Sequence, residues 1–300
     1  MSALQAVVLG LAQGLTEFLP ISSSAHLRVL PALFGWDDPG AAFTAVTQLG
    51  TLAAVVLFFA RELWRILSTW SRSLFRPDLR AHPDARSGWY ILLGTLPIGV
   101  FGLLFERQID TVARDLRLTA FTLVALGLVL WYADRRGQQR KTVADLTLRD
   151  GLAYGFAQAL ALVPGVSRAG ATISAGLLLG YERAAAARYS FLLSVPAILA
   201  SGLFKLGDVG AGDGPGLGLT LLATLLAFVS GYASIAWLLR FVSSRSYLPF
   251  VVYRVGLGLL VALLLGFGTL QPRDDASALR APPSSAAAFN GPTSAGQDVR

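Results

Sequence analysis

The chain has no cysteine, and that absence removes disulfides, thiolate nucleophiles and Cys-ligated zinc at once. Two histidines, His26 and His82, are too few for a His-rich metal cluster. Charge is scarce as well: 14% of the 300 residues are Asp, Glu, Lys or Arg, against 54% hydrophobic. A soluble domain carries about 25% charged residues, so the natural solvent for this chain is a bilayer. A net charge of +7 would suit nucleic acid, but almost all the basic residues lie in short connectors between apolar blocks. That is the pattern of loops at a membrane, and no nucleic-acid partner is expected.

The first twenty residues lack the positive n-region and small-residue cleavage site of a secretory signal, so they are expected to be mature sequence. Gln271 to Arg300 is rich in Pro, Ser, Ala and Gly without apolar periodicity and is expected to be a disordered tail. Residues 1–270 then form one membrane-embedded domain.

Six apolar blocks are long enough to cross a hydrocarbon core, which takes about 20 helical residues. They are Ala41–Ala60, Trp89–Phe105, Leu118–Ala133, Ala185–Lys205, Leu217–Leu239 and Leu248–Leu270. Two more, Leu4–Leu19 and Gly151–Val163, run into Pro20 and Pro164 and then into Ser- and Gly-rich sequence, as re-entrant segments do. The expected fold class is all-α: a polytopic membrane protein with six spans and two re-entrant helix-loop-helix segments.

Orientation follows from the basic residues. Arg61, Arg65, Arg72, Arg76, Arg80 and Arg86 share one connector and Arg135, Arg136, Arg140, Lys141 and Arg149 another, whereas Gly207–Gly216 has none. The first two connectors are expected in the cytoplasm. Counting spans from there puts both termini outside and gives the halves, about 1–134 and 150–270, opposite orientations. The sequence carries a trace of this repeat: GLAQGL from Gly10 returns as GFAQAL from Gly155, each followed by a proline and a serine loop. With one deletion, Ser23 aligns with Ser167. Inverted repeats with broken helices place the functional site near the midplane.

The first loop region, from Gln13 to His26, reads QGLTEFLPISSSAH. Gln13 and Glu17 are spaced i, i+4 and share a helix face. An ionised carboxylate in an apolar run costs about 2.5–3.5 kcal/mol on insertion scales. Glu17 therefore lies either among compensating cations and donors or at the water interface as a simple cap. Thr16, Ser22, Ser23, Ser24 and His26 stand beside it.

The second loop region, from Val163 to Thr172, reads VPGVSRAGAT. Arg168 cannot lose its proton and presents a planar fork suited to phosphate or carboxylate oxygens. Gly165 and Gly170 permit close backbone approach, and the half-helix starting near Thr172 turns its free N–H groups toward the loop. This is an anion cradle; the alternative is a purely structural pair between Arg168 and Glu17, which would also bring the loops together. Arg254, in VVYRV from Val251, reads as snorkelling from the cytoplasmic end of the last span. Gly180–Arg183 and Arg188 read as a cytoplasmic re-entry point rather than a second basic site.

At these loops the chain resembles the undecaprenyl-diphosphate phosphatase family, the bacitracin-resistance proteins, over nearly its whole length to about Gly268. The signatures are a Gln or Glu followed four residues later by Glu (Gln13, Glu17) and a Pro-x-Ser-Ser stretch with a nearby His (Pro20 to His26). A third, Pro-Gly-x-Ser-Arg-Ser-x-x-Thr, is present as PGVSRAGAT from Pro164 to Thr172. Its second serine is Ala169 here, so no mechanism can use that hydroxyl as nucleophile.

The resemblance implies hydrolysis of undecaprenyl diphosphate to undecaprenyl phosphate and inorganic phosphate, recycling the lipid carrier of bacterial cell-wall synthesis. It also implies a plasma-membrane location among lipids, a site open to the outer face, a divalent cation (Mg²⁺ or Ca²⁺) and a tendency to form homodimers. In that frame Arg168 and the half-helix N-terminus hold the diphosphate, with Ser22, Ser24, Gly165, Ser167, Gly170 and Thr172 as further substrate contacts. Gln13 and Glu17 coordinate the cation or orient a water, His26 shuttles protons, and either Ser23 or a water attacks. Two other classes fit the architecture: a polyprenyl-phosphate transporter, since broken helices in inverted repeats are carrier architecture, and an assembly protein with no site. The last would leave Glu17, His26 and Arg168 as unexplained costs in hydrocarbon.

Overall fold

The computed structural model describes residues 1–105, 108–109, 115–206 and 216–272. The expected tail from residue 273 on, and most of the connector 207–216, lie outside the described residues. Among the described residues the chain is helical, its one extended contact being an isolated bridge between Lys141 and Tyr181. The first half contributes α1 (Ala3–Glu17), α2 (Ser23–Phe34), α3 (Gly40–Phe58), α4 (Ala60–Phe75), α5 (Pro83–Leu104) and α6 (Leu116–Arg136). The second contributes α7 (Leu148–Ala159), α8 (Arg168–Leu178), α9 (Arg183–Leu206), α10 (Leu217–Val242) and α11 (Leu248–Gly266).

α5, α6, α9, α10 and α11 are each long and apolar enough to cross a membrane. The sixth expected span, Ala41–Ala60, is α3, which meets α4 at a bend of 80°. The chain is therefore a multi-pass membrane protein. α1, with 15 residues, and α7, with 12, are shorter than a span. At about 1.5 Å per residue neither covers a core of about 30 Å.

Local chemistry sets the helix starts. Ser2 and Gln5 form a reciprocal capping box at α1, Asp115 caps α6 and Thr147 caps α7, each satisfying an N–H that the helix cannot. α5 begins earlier than the expected Trp89 because Pro83 sits in its first turn and His82 Nδ1 accepts from the Asp84 N–H. The arginine-rich connector is largely helical: α4 carries Leu63, Leu67, Trp70 and Leu74 on one face and Arg61, Arg65 and Arg72 on the other. That is the pattern of a helix lying in a membrane interface. Glu62 of α4 binds Arg188 of α9 at 2.6 Å, and Arg65 binds Asp84 of α5 at 2.9 Å.

Small residues hold the bundle together. A side chain at Gly10 or Gly14 of α1 would strike the α10 backbone at Ala223 or Ala227, and one at Gly155 of α7 would strike α5 at Gly94. Such close approach takes the place of a hydrophobic driving force between helices in lipid. Each short helix is thus gripped by a long helix of the other half, α1 by α10 and α7 by α5, while α6 packs along α11. The interlocking brings together the two breaks, residues 18–22 and 160–167. The main apolar cluster includes Phe18, Phe59 and Phe191, with Phe18 edge-on to Phe191 at 5.2 Å between centroids.

Candidate functional site

Both breaks end in the same way. Ser22 and Ser167 are the N-caps of α2 and α8, with φ of 73° and 66°, and each hydroxyl accepts an N–H three residues on, from Ala25 and Gly170. A positive φ is strained for a residue with a Cβ, and among the described non-glycine residues only Gln139 shares it. Ser22 and Ser167 each lie nine residues beyond the repeated glutamines, Gln13 and Gln158, so the halves align without a deletion. This corrects the expected match of Ser23 with Ser167: the cap geometry pairs Ser22 with Ser167, and Ser23 with Arg168.

Glu17, at the end of α1, is buried, its side chain 3% exposed, and Arg168, at the start of α8, is 10% exposed. Arg168 Nη2 donates to Glu17 Oε1 at 2.7 Å. The other carboxylate oxygen, Oε2, accepts from Ser23 Oγ at 2.6 Å and from Gln13 Nε2 at 2.8 Å. Four residues expected at the site thus meet at one carboxylate. Two buried polar atoms there have no partner: Arg168 Nη1 and Gln13 Oε1.

The loops touch again beside this cluster. The Gly165 N–H donates to Ser24 Oγ at 3.4 Å, and Ser24 Oγ lies 3.1 Å from Ser22 Oγ. Gly165 has φ of +79°, and a Cβ there would strike Thr122 Oγ1, so both the turn and the close packing require glycine. Thr122 in turn donates to the Pro164 carbonyl at 2.5 Å.

His26 sits one turn along α2 and faces the last span. Its Nδ1 is 2.7 Å from the Ser22 carbonyl, which can only accept, so Nδ1 carries the proton. Nε2 lies 2.7 Å from the Tyr253 hydroxyl and accepts from it when the ring is neutral. Tyr253 is half-exposed. The next residue, Arg254, overturns the snorkelling expectation: it is fully buried, and its hydrogen bonds end on the carbonyls of Pro20, Thr122, Leu123, Gly165 and Val166. The two breaks supply carbonyls freed from helical bonding, and these draw the guanidinium inward rather than toward water.

Thr172 is a third correction. Its hydroxyl donates to the Arg168 carbonyl at 2.7 Å and meets Ser190 Oγ at 2.5 Å, so it braces the loop from behind instead of facing a ligand. The Gly170 N–H is likewise occupied by Ser167. Arg183 and Arg188 are paired with Asp134 and Glu62, away from the loops.

Residues 6–260 match the family described as bacitracin resistance protein BacA. The chain belongs to this family. It is 55% identical over 276 residues to an undecaprenyl-diphosphatase of Thermobifida fusca, covering 92% of this chain and 94% of the relative. It is 58% identical over 285 residues to undecaprenyl-diphosphatase 2 of Frankia casuarinae, covering 91% and 98%. An undecaprenyl-diphosphatase of Micrococcus luteus is 54% identical over 275 residues, covering 90% and 99%. The BacA motif position occupied here by Ala169 is buried in the main apolar cluster, so its missing hydroxyl takes nothing from the polar cluster at Glu17.

Proposed function

We propose that this chain hydrolyses undecaprenyl diphosphate to undecaprenyl phosphate and inorganic phosphate. The observation that carries this reading is the pair of orphaned atoms at the Glu17–Arg168 contact, a donor on Arg168 and an acceptor on Gln13. Leaving a buried polar group unpaired costs about 1–3 kcal/mol. A diphosphate oxygen satisfies the donor, and a cation travelling with the diphosphate satisfies the acceptor. The names of relatives aligned over nearly their full lengths supply the substrate class.

Arg168 and the first-turn N–H groups of α2 and α8 that the Ser22 and Ser167 caps do not occupy hold the terminal phosphate. Ser23 Oγ, whose proton already points at Glu17, attacks the terminal phosphorus while Glu17 takes that proton. The bond from that phosphorus to the bridging oxygen breaks, and undecaprenyl phosphate leaves with the electron pair. Water then cleaves the Ser23 phosphoester. Charge spreading over the equatorial oxygens meets the Arg168 fork. His26, bonded to the half-exposed Tyr253, provides the proton path to solvent. A water seated on Glu17 in place of the Ser23 hydroxyl is the direct alternative.

The residues fit a divalent cation brought by the substrate. Among the described residues no three His, Asp or Glu side chains gather, and Mg²⁺ is usually held by one or two carboxylates plus substrate phosphates. Glu17 and Gln13 Oε1 would hold it, and when bound it neutralises charge on the phosphate oxygens.

In this reading the arginine-rich connectors lie in the cytoplasm and the first loop opens to the outer face of a bacterial plasma membrane. An apolar groove of about 660 Å³ is lined by Phe101, Phe105, Leu118, Phe156, Val163 and Pro164, the last of them next to Gly165 in the chain. It supports a lateral approach in which the prenyl tail stays in hydrocarbon. The homodimer is part of the same reading and is checked by the mass of the solubilised particle. Purified protein given undecaprenyl diphosphate and Mg²⁺ is expected to release inorganic phosphate, and EDTA to stop it. Movement of the lipid between vesicle leaflets without phosphate release would instead favour a carrier.

A further inference from the structure

Arg254 is fully buried, and among the described residues it faces no carboxylate. Nη1 donates to the Pro20 carbonyl at 3.1 Å, and Nη2 to those of Gly165 and Val166, both at 3.0 Å. Longer contacts reach Thr122 at 3.5 Å and, from Nε, Leu123 at 3.4 Å. Pro20 belongs to the first break, Gly165 and Val166 to the second, and Thr122 and Leu123 to α6. One rigid planar group therefore fixes three segments that are far apart in the chain.

The chemistry suits this task. Carbonyls at a helix break have lost their intrahelical donors. A guanidinium offers five N–H groups in fixed directions and accepts none. A Cβ built at Gly170 would meet Arg254 Nη1 at 2.5 Å, so the group lies against the N-terminus of α8. Glu17 and Arg168 neutralise each other as a pair. The charge left over at the loops is that of Arg254.

We infer that Arg254 is a positioning residue for the hydrolysis: it keeps the first loop, with Glu17 and Ser23, in register with the second, with Arg168, and supplies net positive charge beneath the diphosphate. The inference rests on the diphosphatase reading above.

The test compares Arg254→Lys, which keeps the charge but not the fork, with Arg254→Gln, which keeps neither, on purified full-length protein. Melting temperature, KM and kcat are measured for undecaprenyl diphosphate, with inorganic diphosphate as competitor. A displacement of about 1 Å between reacting groups costs on the order of 100-fold, so Arg254→Lys is expected to lose that much in kcat while KM stays near wild type and the protein remains folded, with a melting temperature lowered by the carbonyls left without donors. Arg254→Gln should lose as much in kcat and also bind inorganic diphosphate more weakly, by roughly tenfold for one missing charge nearby. Either variant, if folded, decides the point. A kcat within twofold of wild type overturns the positioning role. Failure of both variants to fold overturns it in favour of a structural one. Arg168→Lys in the same assay separates the two readings: if it too is near normal, the diphosphatase site itself is misassigned.

Discussion

Ser22 and Ser23 are neighbours with different tasks. Ser22 caps α2 at a strained φ, while Ser23 gives its proton to Glu17 at 2.6 Å. Ser22→Ala is expected to lower stability by about 0.5–2 kcal/mol, the usual value of an N-cap, read as a fall in melting temperature. Ser23→Ala should leave melting unchanged and lower kcat by roughly 10²–10⁴-fold, the range for a lost proton transfer to a positioned base. Turnover near wild type in Ser23→Ala would hand the attack to a water on Glu17. Gln13, Glu17 and Arg168 are legible in the sequence because polar and charged groups in apolar runs are costly and must meet partners. Arg254 misleads because its place near a span end invites snorkelling, and its partners are carbonyls, which no side-chain pattern announces. Tyr253 was missed because an aromatic on a span usually marks an interface. Its one signal is its place beside an arginine among valines.

At the scale of helices, apolar length and the breaks at Pro20 and Pro164 are visible in the chain, because bilayer thickness and the missing proline N–H act locally. The fold of the arginine-rich connector into α4 is less visible, since its apolar face has only short period and no bilayer length. Which helix grips which is not visible: it depends on which glycines meet which backbone. Gly14 packs against α10 so closely that a Cβ would strike Ala227 and Ser230. Gly14→Val is therefore expected to destabilise by about 1–3 kcal/mol through overpacking. The same change at Gly256, where a Cβ would meet nothing within 4 Å, should leave the melting temperature where it was. Equal effects at both positions would mean that glycine packing does not hold α1 in place.

For the whole molecule, the positive-inside count and the two-loop site make separate demands. A cysteine-free chain allows the first to be read directly. Asp37, between α2 and α3, and Asp78, after α4, are both exposed. A membrane-impermeant thiol reagent outside intact cells should label Asp37→Cys and spare Asp78→Cys, and the reverse pattern would turn the site to the cytoplasm. The second demand is central, because Glu17 and Arg168 come from different halves and, in the proposed reading, act on one diphosphate as a unit. It is tested most directly by kcat/KM for phosphate release in Glu17→Gln, Arg168→Lys and the double variant. Groups that act as a unit are strongly non-additive. Each single variant should lose on the order of 100-fold or more, and the double variant little beyond the worse single. Losses that multiply would show two independent groups and contradict a site shared between the loops.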